Sequence, residues 1–296
     1  MKPRVIVVAK RSSYSRLTAG DVDQRARVLL KKGDPAVRKW KPAHDAHVRT
    51  LEKVRAALDG LGVEALVLHG SHASFEPRGV SLVVTVGGDG TLLAASHSVH
   101  DVPILGVNSA PRYSVGFFCA GRAQGIRGTL EAALEGRLPE TRFSRMAVSV
   151  NGQVRSERVL NEALFCHAVP AATSNYILQV GRAREEQRSS GFWIGPAAGS
   201  TAAQLSAGGR VLPPTSKKLQ LVVREPYCVE GRRYRLTRVE ISDGGRAVVK
   251  SKMHQARLFL DGPYLVVHVR LGDEVVFQRS PQSLRVLGLN PRSRSA

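Results

Sequence analysis

Apolar residues along this chain fall into two textures that meet near residue 140. Before it, short and almost wholly apolar runs alternate with helical patterns: VIVVA (5–9), VEALVLH (63–69), SLVVTV (81–86) and PILGVN (103–108). Runs apolar on both faces predict strands of a parallel sheet covered by helices. Val48, Leu51, Val54, Leu58 and Leu61 recur at three- and four-residue steps, which predicts one face of a helix ending at Gly60 or Gly62. GIRGTLEAALEG (125–136) predicts another helix, and the basic, Ser-containing stretch after the first strand reads as a long loop or short helix.

Past residue 140 the apolar runs come closer together. RMAVSVNGQV carries an Asn-Gly hairpin signal between two strand-like runs. NYILQV, LQLVVRE, YRLTRVEI, AVVKS, ARLFLD, YLVVHV and EVVFQ follow, several separated by Gly or Asp-Gly. The expectation is α/β plus β: a Rossmann-like α/β domain over 1–140, then a mostly antiparallel, sandwich-like β-rich domain over 141–277. A C-terminal segment over 278–296 is expected to pack back on the first domain and to end in a disordered polar tail, NPRSRSA.

The 296 residues, 43% hydrophobic, suffice for a sizeable core in two domains. No run approaches the roughly 18 apolar residues of a membrane span. The start, MKPRVIVVAK, lacks the zones of a secretory signal. A cytoplasmic location without membrane association is therefore expected. Cys119, Cys166 and Cys228, odd in number and widely spaced, fit neither a disulfide framework nor a zinc site, and read as buried inert thiols. The net charge of +20 calls for an anionic partner. Its arginines are scattered, aromatics make up only 5% of the chain, and no nucleic-acid-binding signature is present, which favours phosphate-bearing small molecules over nucleic acid.

Three stretches break their hydrophobic pattern with chemistry. The strand at 81–86 runs into Gly87-Gly88-Asp89-Gly90-Thr91, with a helix expected straight afterwards. Free N–H groups and a helix N-terminus around one acid make a phosphate site; the alternative is a tight turn in which Asp89 only caps the helix. In GFWIGPAAGSTAAQLSAGG (191–209), Ser200 or Thr201 caps a short helix with little side-chain bulk. A base or sugar can lie against such a helix, although close helix packing accounts for the same residues. In VLNEALF (159–165), Asn161-Glu162 interrupts an apolar strand and needs partners, within the protein or on a ligand hydroxyl. His97, His100 and His167 show no metal-like spacing.

Together these segments resemble the NAD kinase family. The glycine turn at 87–91, Asn161-Glu162, Gly199-Ser200-Thr201-Ala202 followed by Ser206-Ala207-Gly208-Gly209, and Asp261-Gly262 occur in that family's order and approximate spacing. GVNSAPRYSVGFF (106–118) is similar to the family's segment after the next strand. The resemblance implies the NAD kinase/diacylglycerol kinase-like fold, with the site in a cleft between two domains. It also implies transfer of the terminal phosphate of ATP, with Mg²⁺, to the 2′-hydroxyl of the adenosine ribose of NAD or NADH, by a homo-oligomer (dimer or tetramer). Carried over, Asp89 takes or orients the hydroxyl proton, while Gly88, Gly90 and Thr91 line the phosphates. Phe117 stacks on the nucleotide, Asn161 and Glu162 hold ribose hydroxyls, and Thr201, Ala202 and Ser206 contact the adenosine part. Ser190 lies near the nicotinamide end, and Gly87, Asn108, Ala198, Gly199, Ser200 and Asp261 complete the nucleotide-binding set.

The family commonly has Gly-Asp-Gly upstream of the Gly-Ser-Thr segment, where this chain has Ser189-Ser190-Gly191, and Ala203 replaces the usual Tyr. SSGFWIGPAAGSTAA and LNEALFCHAVPAATSN are similar to the NADH-kinase-like branch of plants. A lipid kinase shares the glycine motif but needs an apolar acceptor cleft, whereas residues 195–208 are small and polar. A nucleotide sensor that only binds has no need of an acid at Asp89. Phosphoryl transfer asks mainly for positioning and charge neutralisation, with one carboxylate beside the acceptor hydroxyl as base.

Overall fold

The computed structural model describes residues 3–18, 23–70, 74–228, 233–263 and 265–289; the expected tail at 290–296 lies outside them. The chain divides into two compact units, residues 1–141 with 285–296, and residues 142–284.

In the first unit, β1 (Arg4–Ala9), β2 (Glu64–His69), β3 (Leu82–Gly87), β4 (Ile104–Asn108) and β5 (Cys119–Arg122) form a parallel sheet in the order β5-β4-β3-β1-β2. Helices α1 (Ser13–Thr18), α2 (Gln24–Lys31) and α3 (Trp40–Gly60) lie between β1 and β2, α4 (Asp89–Ser96) joins β3 to β4, and α5 (Ile126–Leu134) follows β5. Every residue of β3 and β4 is buried, as a sheet covered on both faces requires. Val5, Val7, Val84, Val86, Leu105 and Val107 pack against Val54 and Leu58 of α3 and Ile126 and Leu130 of α5. The crossover through α4 runs the opposite way along the sheet, so right-handedness puts α4 on the other face. The buried stripe of α3 differs from the expected one. Val54 and Leu58 are in it, but Val48, Leu51 and Leu61 are only half-buried, and His47, Thr50 and Ala57 complete it. Thr50 is accommodated because its hydroxyl donates to the carbonyls of Ala46 and Ser109.

The second unit is built from β6 (Glu140–Val150), β7 (Gln153–Val159), β8 (Ala163–His167), β9 (Ser174–Val180), β10 (Ala183–Ser189), β11 (Phe192–Pro196), α6 (Ala203–Ser206), β12 (Leu219–Val223), β13 (Arg238–Ile241), β14 (Arg246–Ser251), β15 (Ala256–Leu260), β16 (Leu265–Val269) and most of β17 (Glu274–Leu287). One antiparallel sheet has the order β13-β12-β11-β8-β15-β16. The other layer runs β10-β9-β14-β17, with β6 pairing β17 and β7. Rings from both layers meet in one core: Phe165–Phe192 at 5.2 Å, Phe165–Tyr176 at 5.6 Å and Phe192–Phe277 at 5.9 Å. The β6–β7 turn has φ of 51° at Asn151 and 77° at Gly152, the geometry an Asn-Gly hairpin favours.

AREEQRS, which carries no hydrophobic alternation and is not among the expected strands, forms β10. One local expectation fails: VLNEALF is not one strand. β7 ends at Val159 and β8 begins at Ala163, leaving Leu160-Asn161-Glu162 between them. Among the described residues no helix is long and apolar enough to cross a membrane.

Candidate functional site

The glycine turn lies in the first unit, where β3 ends at Gly87 and α4 starts at Asp89 with Gly88 as its N-cap. Its glycines have different causes. A Cβ on Gly87 would come within 2.1 Å of Thr91 Oγ1, and one on Gly88 within 2.2 Å of Ser114 Oγ, whereas Gly90 faces open space. Gly87 is therefore dictated by packing against Thr91, a Cβ on Gly88 would require the Ser114 hydroxyl to turn away, and Gly90 leaves the backbone open to a ligand. Gly88 supplies no side-chain cap, and the N–H groups of Asp89 and Gly90 find no acceptor among the described residues. Asp89 is half-buried, and its Oδ1 accepts from the N–H of Phe118 at 2.8 Å instead of from its own helix. Thr91 is buried below it. Asn108 ends β4 and is committed internally: Nδ2 donates to Ser114 O at 3.0 Å and Oδ1 accepts from Ala110 N at 3.2 Å. It thereby shapes the segment carrying Phe117, which is half-buried and packs edge-on to Phe118 at 5.0 Å.

In the second unit, Asp261 holds the Asn161-Glu162 turn. It follows β15 with φ 51°, a left-handed backbone that Asp tolerates better than most residues. Its Oδ2 accepts from Leu160 N at 2.7 Å, and its Oδ1 from Asn161 N at 2.7 Å and Glu162 N at 3.2 Å. The Asp261 N–H donates back to Glu162 O at 2.9 Å. From the other side, Gln204 Nε2 donates to Asn161 O at 3.2 Å, and Gly199 lies so close that a Cβ there would be 1.9 Å from that oxygen. The backbone is thus fixed from two directions, while Asn161 Oδ1 and Glu162 Oε2 are buried without a partner. Unsatisfied buried atoms cost about 1–3 kcal/mol each, a cost that a ligand's polar groups would remove. Burial, and secondarily the charge of Asp261, pushes the Glu162 carboxyl up to about 8, so near neutral pH it is protonated and able to donate.

The low-bulk segment is a 3₁₀ turn, Ala197–Thr201, followed by the single-turn α6. Neither Ser200 nor Thr201 caps α6 as expected. The Ser200 hydroxyl donates to Ala197 O and accepts from Leu212 N, so it is used up in folding the segment. Ala198, Gly199 and Ser200 are buried, Ala202 is half-buried, and Thr201 and Ser206 are exposed. Only the last three offer side chains at the surface.

A cavity of about 450 Å³ lies in the same unit, with Glu162, Leu164, Ser190, Trp193, Arg224 and Phe259 among its lining. Phe192, Phe165 and Leu258 face the core; their chain neighbours Trp193, Leu164 and Phe259 form one cross-strand row on the opposite face of the sheet. Arg224 sits over the Trp193 ring at 5.9 Å, and its carbonyl accepts from Ser190 N at 3.0 Å. Sequence reading missed this apolar row and Arg224. Its signal was the alternation itself, which leaves large apolar side chains on a face that a solvated sheet makes polar. Of the three thiols, Cys119 is buried, Cys228 is exposed, and Cys166 lines the cavity, where burial pushes its thiol up. The structure therefore assembles the predicted residues as two groups: Gly87 to Thr91, Asn108 and Phe117 in the first unit, and Asn161, Glu162, Ser190, Ala198 to Ala202, Ser206 and Asp261 in the second.

A solved NAD kinase from Archaeoglobus fulgidus, in complex with ATP, superposes with a TM-score of 0.68 at 22% identity, covering 95% of this chain and 92% of that one. The fold is that of an NAD kinase. Residues 41–138 match the family model of the ATP-NAD kinase N-terminal domain. A probable NADH kinase of Oryza sativa is 30% identical over 263 residues, 81% of each chain. An NADH kinase of Arabidopsis thaliana is 32% identical over 71% of this chain and 73% of its own, and an NAD kinase of Methanothermobacter thermautotrophicus is 28% identical over 71% and 72%. The chain belongs to the NAD kinase family.

Proposed function

We propose that this chain transfers the terminal phosphate of ATP to the 2′-hydroxyl of the adenosine ribose of NAD and NADH. The observation that carries the reading is Asp89, the one acid in a glycine turn whose neighbouring N–H groups are unoccupied and whose carboxylate is oriented by Phe118 N. Asp89 takes the proton of the 2′-hydroxyl as that oxygen attacks the γ-phosphorus and the bond to ADP breaks. The open N–H groups of Asp89 and Gly90 and the end of α4 bind phosphate oxygens. Mg²⁺ arrives as part of the MgATP substrate and neutralises phosphate charge. Asn161 Oδ1 accepts from a ribose hydroxyl, and protonated Glu162 donates to one, which satisfies both buried atoms.

The row of Leu164, Trp193 and Phe259 offers a flat apolar wall for the nicotinamide ring. No acid stands at Ser190, and Arg224 is beside it, so the cationic oxidised ring gains nothing there over the neutral reduced ring. Both dinucleotides are substrates on this reading, which agrees with the names of the two plant relatives. The test is incubation with MgATP and either dinucleotide, followed by mass measurement and recognition of the product by an NADP-specific dehydrogenase. Formation of NADP and NADPH is expected; no phosphorylated dinucleotide from either one contradicts the reading.

A further inference from the structure

The strand order β5-β4-β3-β1-β2 sends the chain outward in opposite directions from β1 and β3. The carboxyl ends of these two strands are thus a topological switch point, the place where open α/β sheets form a ligand crevice. The β3 side of it is the glycine turn. The β1 side is Lys10, the residue after the strand, whose N–H donates to Val86 O at 3.1 Å and so stands level with the end of β3. Lys10 is half-buried, and no carboxylate among the described residues pairs with its ammonium. Burial alone pulls it below the ordinary lysine range. The groups acting on its neighbour His47 are basic as well: Lys10, His44 and His69. His47 is only 4% exposed and its Nδ1 has no partner; burial first, and the Lys10 charge next, push it down to about 4, so it is neutral near pH 7. A cation drawn out of water with no counter-ion is unfavourable. The end of β3, level with Lys10, leads directly into the two open N–H groups of α4, which also favour negative charge.

We propose that Lys10 is the cation that holds the polyphosphate chain of the phosphoryl donor, in the crevice between the ends of β1 and β3, together with the Asp89-Gly90 N–H groups. This rests on the proposed phosphotransfer and adds a binding residue from a segment that carries no recognisable motif. The donor's negative charge pairs with the ammonium, and Asp89 remains available for the acceptor hydroxyl.

The test is calorimetric binding of inorganic tripolyphosphate and of ATP to the full chain, for wild type, Lys10→Met and Lys10→Arg. A charge-assisted phosphate contact predicts about 10- to 100-fold weaker binding of both in Lys10→Met, with most of the affinity kept in Lys10→Arg. NAD binding without ATP is expected to stay within about twofold. The melting temperature of ligand-free Lys10→Met is expected to equal or exceed wild type, because an unpaired half-buried charge is gone; a purely structural lysine would not behave so. If Lys10→Met does not fold, Lys10→Gln makes the same comparison. Tripolyphosphate affinity within twofold of wild type in the uncharged variant overturns the proposal, even if the wild type proves an active NAD kinase. Lys10-dependent tripolyphosphate binding by a chain that phosphorylates neither dinucleotide supports this site and overturns the function proposed above.

Discussion

Removing the Asp261 carboxylate should unlock the Asn161-Glu162 turn. Three backbone N–H groups donate to it, two at 2.7 Å and one at 3.2 Å. Hydrogen bonds to a charged acceptor are worth roughly 1.5–3 kcal/mol each, but neighbours sharing one acceptor do not add and water replaces part of the loss. A local destabilisation of about 3–4 kcal/mol is therefore expected for Asp261→Ala. Its φ of 51° adds about 1 kcal/mol of backbone strain for alanine. Asp261→Gly removes that second contribution, and Asp261→Asn, which tolerates the same backbone, keeps one oxygen for the Asn161 and Glu162 N–H groups while turning an amide toward Leu160 N. The assay is hydrogen exchange of the 160–162 amides in the full chain. Protection should fall about 100-fold or more in Asp261→Ala and Asp261→Gly, and by less in Asp261→Asn, with the KM for the dinucleotide rising in parallel. Unchanged protection at these three amides in all variants would refute the account of Asp261 as the clamp of this turn.

Asp89→Asn should leave nucleotide affinity near wild type and cut turnover by about 100-fold or more, the worth of a positioned general base; activity within threefold of wild type, measured under saturating substrates, counts against the assignment. Ser190→Asp should shift the ratio of kcat/KM toward NAD⁺ by up to a few-fold, the effect of a solvent-screened charge pair, and side-by-side kinetics on both dinucleotides decide it. Because the folded Glu162 carboxyl is raised to about 8 from an ordinary value of 4.5, the stability it contributes is complete below pH 4.5 and is lost as pH rises through about 8. Melting temperatures should accordingly fall more steeply over that interval in wild type than in Glu162→Gln, and parallel profiles would contradict the burial argument.

Strands β3 and β4 were legible because burial on both faces leaves them almost wholly apolar, with Thr85 and Asn108 the polar exceptions. The β6–β7 hairpin was legible because its turn needs two left-handed residues and the sequence supplies Asn151-Gly152. Strand β10 was not, since only Gln187 and Ser189 of its seven residues are enclosed, and both are satisfied by hydrogen bonds with Tyr176. On the site, the glycine turn and the Asn-Glu pair announced themselves as polar breaks in apolar runs. What holds the pair did not: Asp261 acts from 100 residues away, and an Asp-Gly dipeptide after a strand reads locally as an ordinary turn. Ser200 misled in the opposite sense, because a serine before a short helix suggests a cap, while its hydroxyl in fact bridges Ala197 and Leu212. Lys10 carries no local signal, since its position matters only once the sheet order places β1 beside β3.

Asp89 is proposed to activate one particular hydroxyl, and deoxy analogues of the dinucleotide decide whether it does. With MgATP and the wild-type chain, 3′-deoxy-NAD (modified on the adenosine ribose) should be phosphorylated and 2′-deoxy-NAD should not, with ³¹P NMR of the NAD product placing the new phosphate at the 2′ position. Turnover of the 2′-deoxy analogue, or a phosphate found at any other oxygen, would contradict the account.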